Sequence, residues 1–197
     1  MEIIPCLLDT GNRTRIGSHT LGELIALKGK EMLWEERTAG VIDTVVIHYM
    51  SAMEVMPASP FALELILKIF ADFGVSSHYL IDREGVVRQL VAEEKKAWHC
   101  GGSIMPPPDS RQGVNDFSIG IELIATAASG FTDNQYRAAA LLCRSIESRY
   151  GVMRYVGHED IAGPAAVALG LRSDMKHDPG PLFDWAKFHG MRESASE

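Results

Sequence analysis

The run VIDTVVIHYM, residues 41–50, most constrains what this chain can fold into. It is apolar and β-branched almost throughout, which suits a strand covered on both faces and therefore a sheet with layers on each side. A second run, FSIGIELI at 117–124, has the same character, and MRYVGH at 153–158 reads as a last strand ending at His158. Helical segments lie between them. ASPFALELILKIFADFG (58–74) offers Ser59 as a cap, Pro60 as the first helical residue and Gly74 as the stop. TDNQYRAAALLCRSIESRYG (132–151) opens on a Thr132/Gln135 capping box and closes at Gly151, with Tyr136, Ala140, Cys143, Ile146 and Tyr150 on its apolar face. HYLIDREGVVRQLV (78–91) reads as a hairpin about Asp82–Gly85. Strands interleaved with helices predict one α/β domain: a central mixed β-sheet flanked by helices, over 41–190. Residues 1–40 are weakly patterned, with a short helix broken near Gly29, and are expected to be an extension packed on that domain.

At 197 residues the chain can bury a sizeable core. A formal charge of −7 argues against nucleic acid or an anionic membrane as partner, and no apolar run approaches the ~20 residues of a membrane helix. The N-terminus lacks a basic stretch ahead of its apolar patch, and Cys6, Cys100 and Cys143 are odd in number and far apart. A cytoplasmic monomer with free thiols is the expectation.

Within these strands two ionisable residues stand out. His48 lies near the end of one buried run and Glu122 near the end of another. A strand histidine is often only a satisfied core residue, and a strand glutamate can face water at an edge. Yet His48, His158 and Asp178 together make two imidazoles and a carboxylate, the ligand set of a catalytic zinc site with one position left open. A carboxylate truly buried at 122 would have its pKa raised toward that of a general base. Asp178 follows Lys176 and His177 and precedes Pro179-Gly180-Pro181, a loop of restricted shape. By itself that loop could be a solvated turn. HEDIA at 158–162 is not the metalloprotease helix motif, since Ala162 stands where the second histidine belongs.

Six blocks in order, VVIHY, SSHYLIDREG, AWHCGGS, NDFSIGIEL, GHEDIAGP and KHDPGPLFDW, resemble the zinc-dependent N-acetylmuramoyl-L-alanine amidases of the type 2 class. That class shares its fold with phage-type lysozymes and peptidoglycan recognition proteins. The resemblance spans about Val41 to Trp185. It implies zinc on His48, His158 and Asp178, an acid/base at Glu122 and an oxyanion-stabilising cation at Lys176. The implied substrate is peptidoglycan or its muropeptide fragments, cut between N-acetylmuramic acid and L-alanine. Trp98, His99, Asn115 and Arg111 would line the substrate groove. Ser77 stands where phage-type members carry an active-site tyrosine, which places the chain with the glutamate-using branch. Residues 159–177 form a longer connection than the compact recycling amidases suggest, and His177 is a rival to Asp178 as ligand. Two other readings compete. One is a non-catalytic peptidoglycan-binding module, although such members typically lose a ligand. The other is a Cys–His hydrolase at His99-Cys100, disfavoured because neighbouring strand residues face opposite ways.

Overall fold

The computed structural model describes residues 2–38 and 40–194. Along the chain run β1 (Ile3–Pro5), a small hairpin of β2 (Arg15–Ile16) and β3 (His19–Thr20), α1 (Leu21–Leu27) and β4 (Trp34–Glu36). Then come β5 (Thr44–Met50), α2 (Leu63–Phe73), β6 (Tyr79–Ile81), β7 (Val87–Gln89) and β8 (Lys95–Ala97). The rest is β9 (Ser118–Ile124), α3 (Asp133–Tyr150), β10 (Arg154–Gly157), α4 (His158–Ile161), α5 (Pro164–Ala168) and α6 (Trp185–Ser194). Six strands form one sheet in the order β1-β7-β6-β9-β5-β10. Within this sheet, among the described residues, only β6 and β7 pair antiparallel, so the sheet is mixed, as the alternation of elements predicts.

The two apolar runs lie side by side at the centre of this sheet as β5 and β9. Period-2 alternation divides their side chains between two cores. Val45, Ile47, Ile119, Ile121 and Leu123 face α3 and α6 and pack with Leu142, Ile146 and Phe188. On the other face Leu80 and Ile124 meet α1 and α2 through Ile25, Ile66, Leu67 and Phe70. His48 and Glu122 share that second face.

The capping box at Thr132 and Gln135 is present, and Cys143 is buried on the core side of α3. Tyr150 is not: it is 36% exposed. α2 begins later than the sequence suggests, at Leu63, with Ala62 at the cap and no side-chain cap bond. Pro60 cannot open the helix because its carbonyl is taken by the Ala52 N–H, 2.7 Å away, which closes the preceding turn. The last strand stops at Gly157, and His158 opens α4, because Asp160 Oδ2 accepts the Gly157 N–H at 2.7 Å and starts a helical turn. The first forty residues contribute β1 to the sheet edge and α1, with its Thr20/Glu23 capping box, to the second core. No helix among the described residues is long and apolar enough to cross a membrane.

Candidate metal centre and active site

Parallel pairing fixes where the ionisable residues meet. His48 and Glu122 are register partners on β5 and β9, so they stand side by side on one face. Gly157 pairs with Ile47, which puts His158 at the carboxyl end of β10 beside His48. The crevice beyond the carboxyl ends of parallel strands is where open α/β sheets place their sites. The loop Lys176–Pro181 closes over this end, tied down by the Glu159 N–H donating to the Asp178 carbonyl at 2.8 Å.

There Nδ1 of His48 lies 3.0 Å and Nδ1 of His158 3.2 Å from the same Oδ2 of Asp178. The ligand atoms of the three residues all lie within 4.8 Å of one another. The far nitrogen of His158 meets an obligate acceptor, whereas that of His48 meets another imidazole. Nε2 of His158 is 3.1 Å from the Cys100 carbonyl, which can only accept, so Nε2 carries a hydrogen and Nδ1 is the nitrogen that faces Asp178. Nε2 of His48 is 3.0 Å from Nδ1 of His99, whose Nε2 is in turn 3.3 Å from Ser118 Oγ. Burial first, and then neighbouring His158, push the His48 pKa down to about 4, so this ring is neutral near pH 7. Two imidazole nitrogens and a carboxylate oxygen thus converge on one point. Two imidazoles with a carboxylate at this spacing suit zinc chemistry. His177 is exposed and outside this cluster.

Glu122 borders a cavity of about 580 Å³ together with His158, Asp178 and Lys176. Its Oε2 is buried without a hydrogen-bond partner among the described residues. Burial, and secondly Asp178, raise its pKa well above the usual carboxylate range, with Lys176 opposing. A buried carboxyl left unpaired is rare in a purely structural role.

The expected groove residues divide. Trp98 lines the cavity, with Lys30 Nζ 4.8 Å from its ring centre. His99 reaches the cavity wall but gives its Nδ1 to His48. Asn115 also lines it, while its Oδ1 accepts the N–H groups of His99 and Cys100 at 3.2 and 2.9 Å and so braces their loop. Arg111 does not reach the cavity. Its guanidinium is held by Asp43 and Asp109 and lies 3.9 Å from the Phe117 ring centre, so its charge is committed outside the cavity. Cys100 is not in a strand, and its Sγ lies 3.1 Å from His99 Nδ1, contrary to the opposite-face expectation. The contact makes no nucleophile, because burial pushes the thiol well above its usual pKa and His99 Nδ1 already serves His48. Sequence reading missed Arg172 and Tyr49, both on the cavity wall. Membership of the long 159–177 segment was the only signal for Arg172.

A family model described as N-acetylmuramoyl-L-alanine amidase matches residues 38–181. The chain belongs to this amidase family. It is 37% identical over 142 residues to the 1,6-anhydro-N-acetylmuramyl-L-alanine amidase AmpD of Enterobacter cloacae, covering 71% of this chain and 66% of that protein. To the AmpD of Escherichia coli it is 41% identical over 133 residues, covering 66% and 63%. The chain therefore spans just under two thirds of the length of these relatives. Among solved structures, a selenomethionine derivative of AmpD aligns with a TM-score of 0.66 at 31% identity, covering 80% of this chain and 89% of that one. The amidase AmiD from Escherichia coli, solved with the substrate anhydro-N-acetylmuramic acid-L-Ala-D-γ-Glu-L-Lys, aligns with a TM-score of 0.56 at 31% identity, covering 80% and 60%. Both likenesses support the mixed-sheet amidase fold.

Proposed function

We propose that this protein is a zinc hydrolase that cuts the amide between N-acetylmuramic acid and L-alanine in muropeptides. His48, His158 and Asp178 would hold the ion. The observation that carries this reading is the convergence of two imidazole nitrogens and a carboxylate oxygen beside Glu122, whose Oε2 is buried without a partner among the described residues. Bound there, zinc would supply Lewis-acid polarisation of the amide carbonyl and acidify the attacking water.

The chain's own residues do the rest. Glu122, with a raised pKa, accepts a proton from the attacking water and returns it to the departing alanine nitrogen. Lys176, on the cavity wall, stabilises the negative charge that develops on the former carbonyl oxygen. Trp98 offers the substrate an apolar wall. His99 orients His48, and Asn115 holds the loop that carries both His99 and Cys100.

The names of the AmpD relatives and the ligand of AmiD favour 1,6-anhydro-muropeptides over intact wall. Mass spectrometry of zinc-loaded protein with anhydro-muropeptide and with intact sacculi, side by side, tests this. Release of free stem peptide from the soluble substrate is expected. Binding of either substrate without any cleavage would leave only a recognition module.

A further inference from the structure

Residues 159–177 do more than join His158 to Asp178. After α5 the chain turns at Gly170 and lays Leu171 directly on the 100–102 loop: a Cβ at Gly102 would lie 1.9 Å from the Leu171 carbonyl oxygen. So close an approach is open only to glycine. From the next residue, Arg172 Nη1 donates to the carbonyls of Cys100, at 3.3 Å, and Gly102, at 3.4 Å. Its Nε bonds the Asp174 carbonyl, which holds the guanidinium in place, and the side chain is only 11% exposed. The Cys100 carbonyl is the same one that accepts from His158 Nε2 at 3.1 Å. Its two lone pairs thus serve one imidazole and one guanidinium. The Cys100 N–H is fixed by Asn115, so this stretch is held from both sides.

We propose that Arg172 is a positioning residue of the metal centre: it fixes the Cys100 carbonyl that sets the ring orientation and tautomer of His158. The inference rests on the metal reading above. It also gives a sign opposite to simple electrostatics. A cation on the wall of a cavity that binds a cation repels it, so on charge alone removing Arg172 should tighten metal binding. As a bracket, its removal loosens the acceptor behind His158 and weakens binding. Partners behind metal ligands typically contribute 10–100-fold in affinity.

The test is chelator-competition titration of zinc into metal-free wild type, Arg172→Met, Arg172→Lys and Gly102→Ala, with melting of each metal-free form. Arg172→Met is expected to bind zinc about tenfold more weakly, with metal-free melting close to wild type. Arg172→Lys keeps the charge but has no planar fork to span two carbonyls, and should fall between the two. Gly102→Ala pries the segment off the loop with Arg172 still present, and should weaken zinc binding as well. It also decides the matter if Arg172→Met does not fold. Wild-type or tighter affinity in folded Arg172→Met, or wild-type affinity in Gly102→Ala, overturns the bracket alone. A wild type that takes no zinc overturns the metal reading and the bracket with it.

Discussion

Glu122 breaks the rule of the strand it occupies. Six apolar or small neighbours in SIGIELI predict an apolar residue there, and a carboxyl is retained at a cost unless it has work to do. Its environment makes the first prediction. Glu122→Gln keeps the shape but cannot carry the proton, so the variant should fold and bind zinc normally while losing most of its turnover, by ~10²-fold or more. Retention of most activity on anhydro-muropeptide would move the base elsewhere. The adjoining loop makes a second. Lys176→Ala should keep zinc and KM but lose roughly 10²–10³ in kcat, because its contact forms mainly in the transition state. Asp178→Ala should lose zinc, and His177→Ala, whose ring is exposed, should be nearly silent. If instead His177→Ala empties the site and Asp178→Ala does not, the ligand has been taken from the wrong neighbour. At this scale the sequence was most readable where chemistry contradicts surroundings, as at His48 and Glu122. It was least readable where a long side chain chooses among partners. Arg111 goes to Asp43 and Asp109, and Arg172 to two carbonyls, and no local pattern announces either choice.

Among the elements, β5 and β9 were legible as long continuous apolar runs, and α3 because it repeats its helical period between recognisable caps. The three-residue strands β1, β4 and β8 have no room for a pattern, and tertiary pairing alone creates them. α2 carried a persuasive local start signal at Ser59-Pro60 that the turn closed by Ala52 overrode. Glycine in β9 has a tertiary reason of the same kind. A Cβ at Gly120 would lie 2.6 Å from Cγ and Nδ1 of His99 and 2.8 Å from Ser77 Oγ. His99 cannot yield easily, since His48 and Ser118 hold its two nitrogens. Gly120→Ala should therefore cost about 1–3 kcal/mol by overpacking and also weaken zinc binding by displacing the ring behind His48. Gly190 in α6 has nothing within 4 Å of a would-be Cβ, so Gly190→Ala should stabilise by about 0.5–1 kcal/mol and leave zinc affinity alone. Denaturant unfolding and zinc titration of both variants check the contrast. Equal stability changes would mean that His99 is not held as its hydrogen bonds indicate.

For the whole molecule the sharpest question is what the first forty residues do, since the family match begins only at residue 38. Leu8, Leu21, Ile25 and Leu33 are fully buried and belong to the core cluster that also holds Ile66, Leu67 and Phe70 of α2. At about 1.5–3 kcal/mol each, these four side chains contribute on the order of 6–12 kcal/mol, as much as the net stability of a typical domain. Arg37 adds a link to the site itself. Its guanidinium donates to the carbonyls of Glu93, Asn115 and Ser118, at 3.1, 2.8 and 2.6 Å, directly behind the residues that brace His99. A fragment of residues 41–197 should therefore fail to fold cooperatively, even though it contains all three expected ligands and Glu122. Arg37→Met in the full chain should fold with reduced stability, because three carbonyls lose a guanidinium donor. Circular dichroism melts with and without zinc compare the fragment and the variant with the intact chain. A fragment that melts cooperatively and takes up one zinc would show the amidase domain to be complete from residue 41, and the N-terminal segment to be a covering rather than a part of its core.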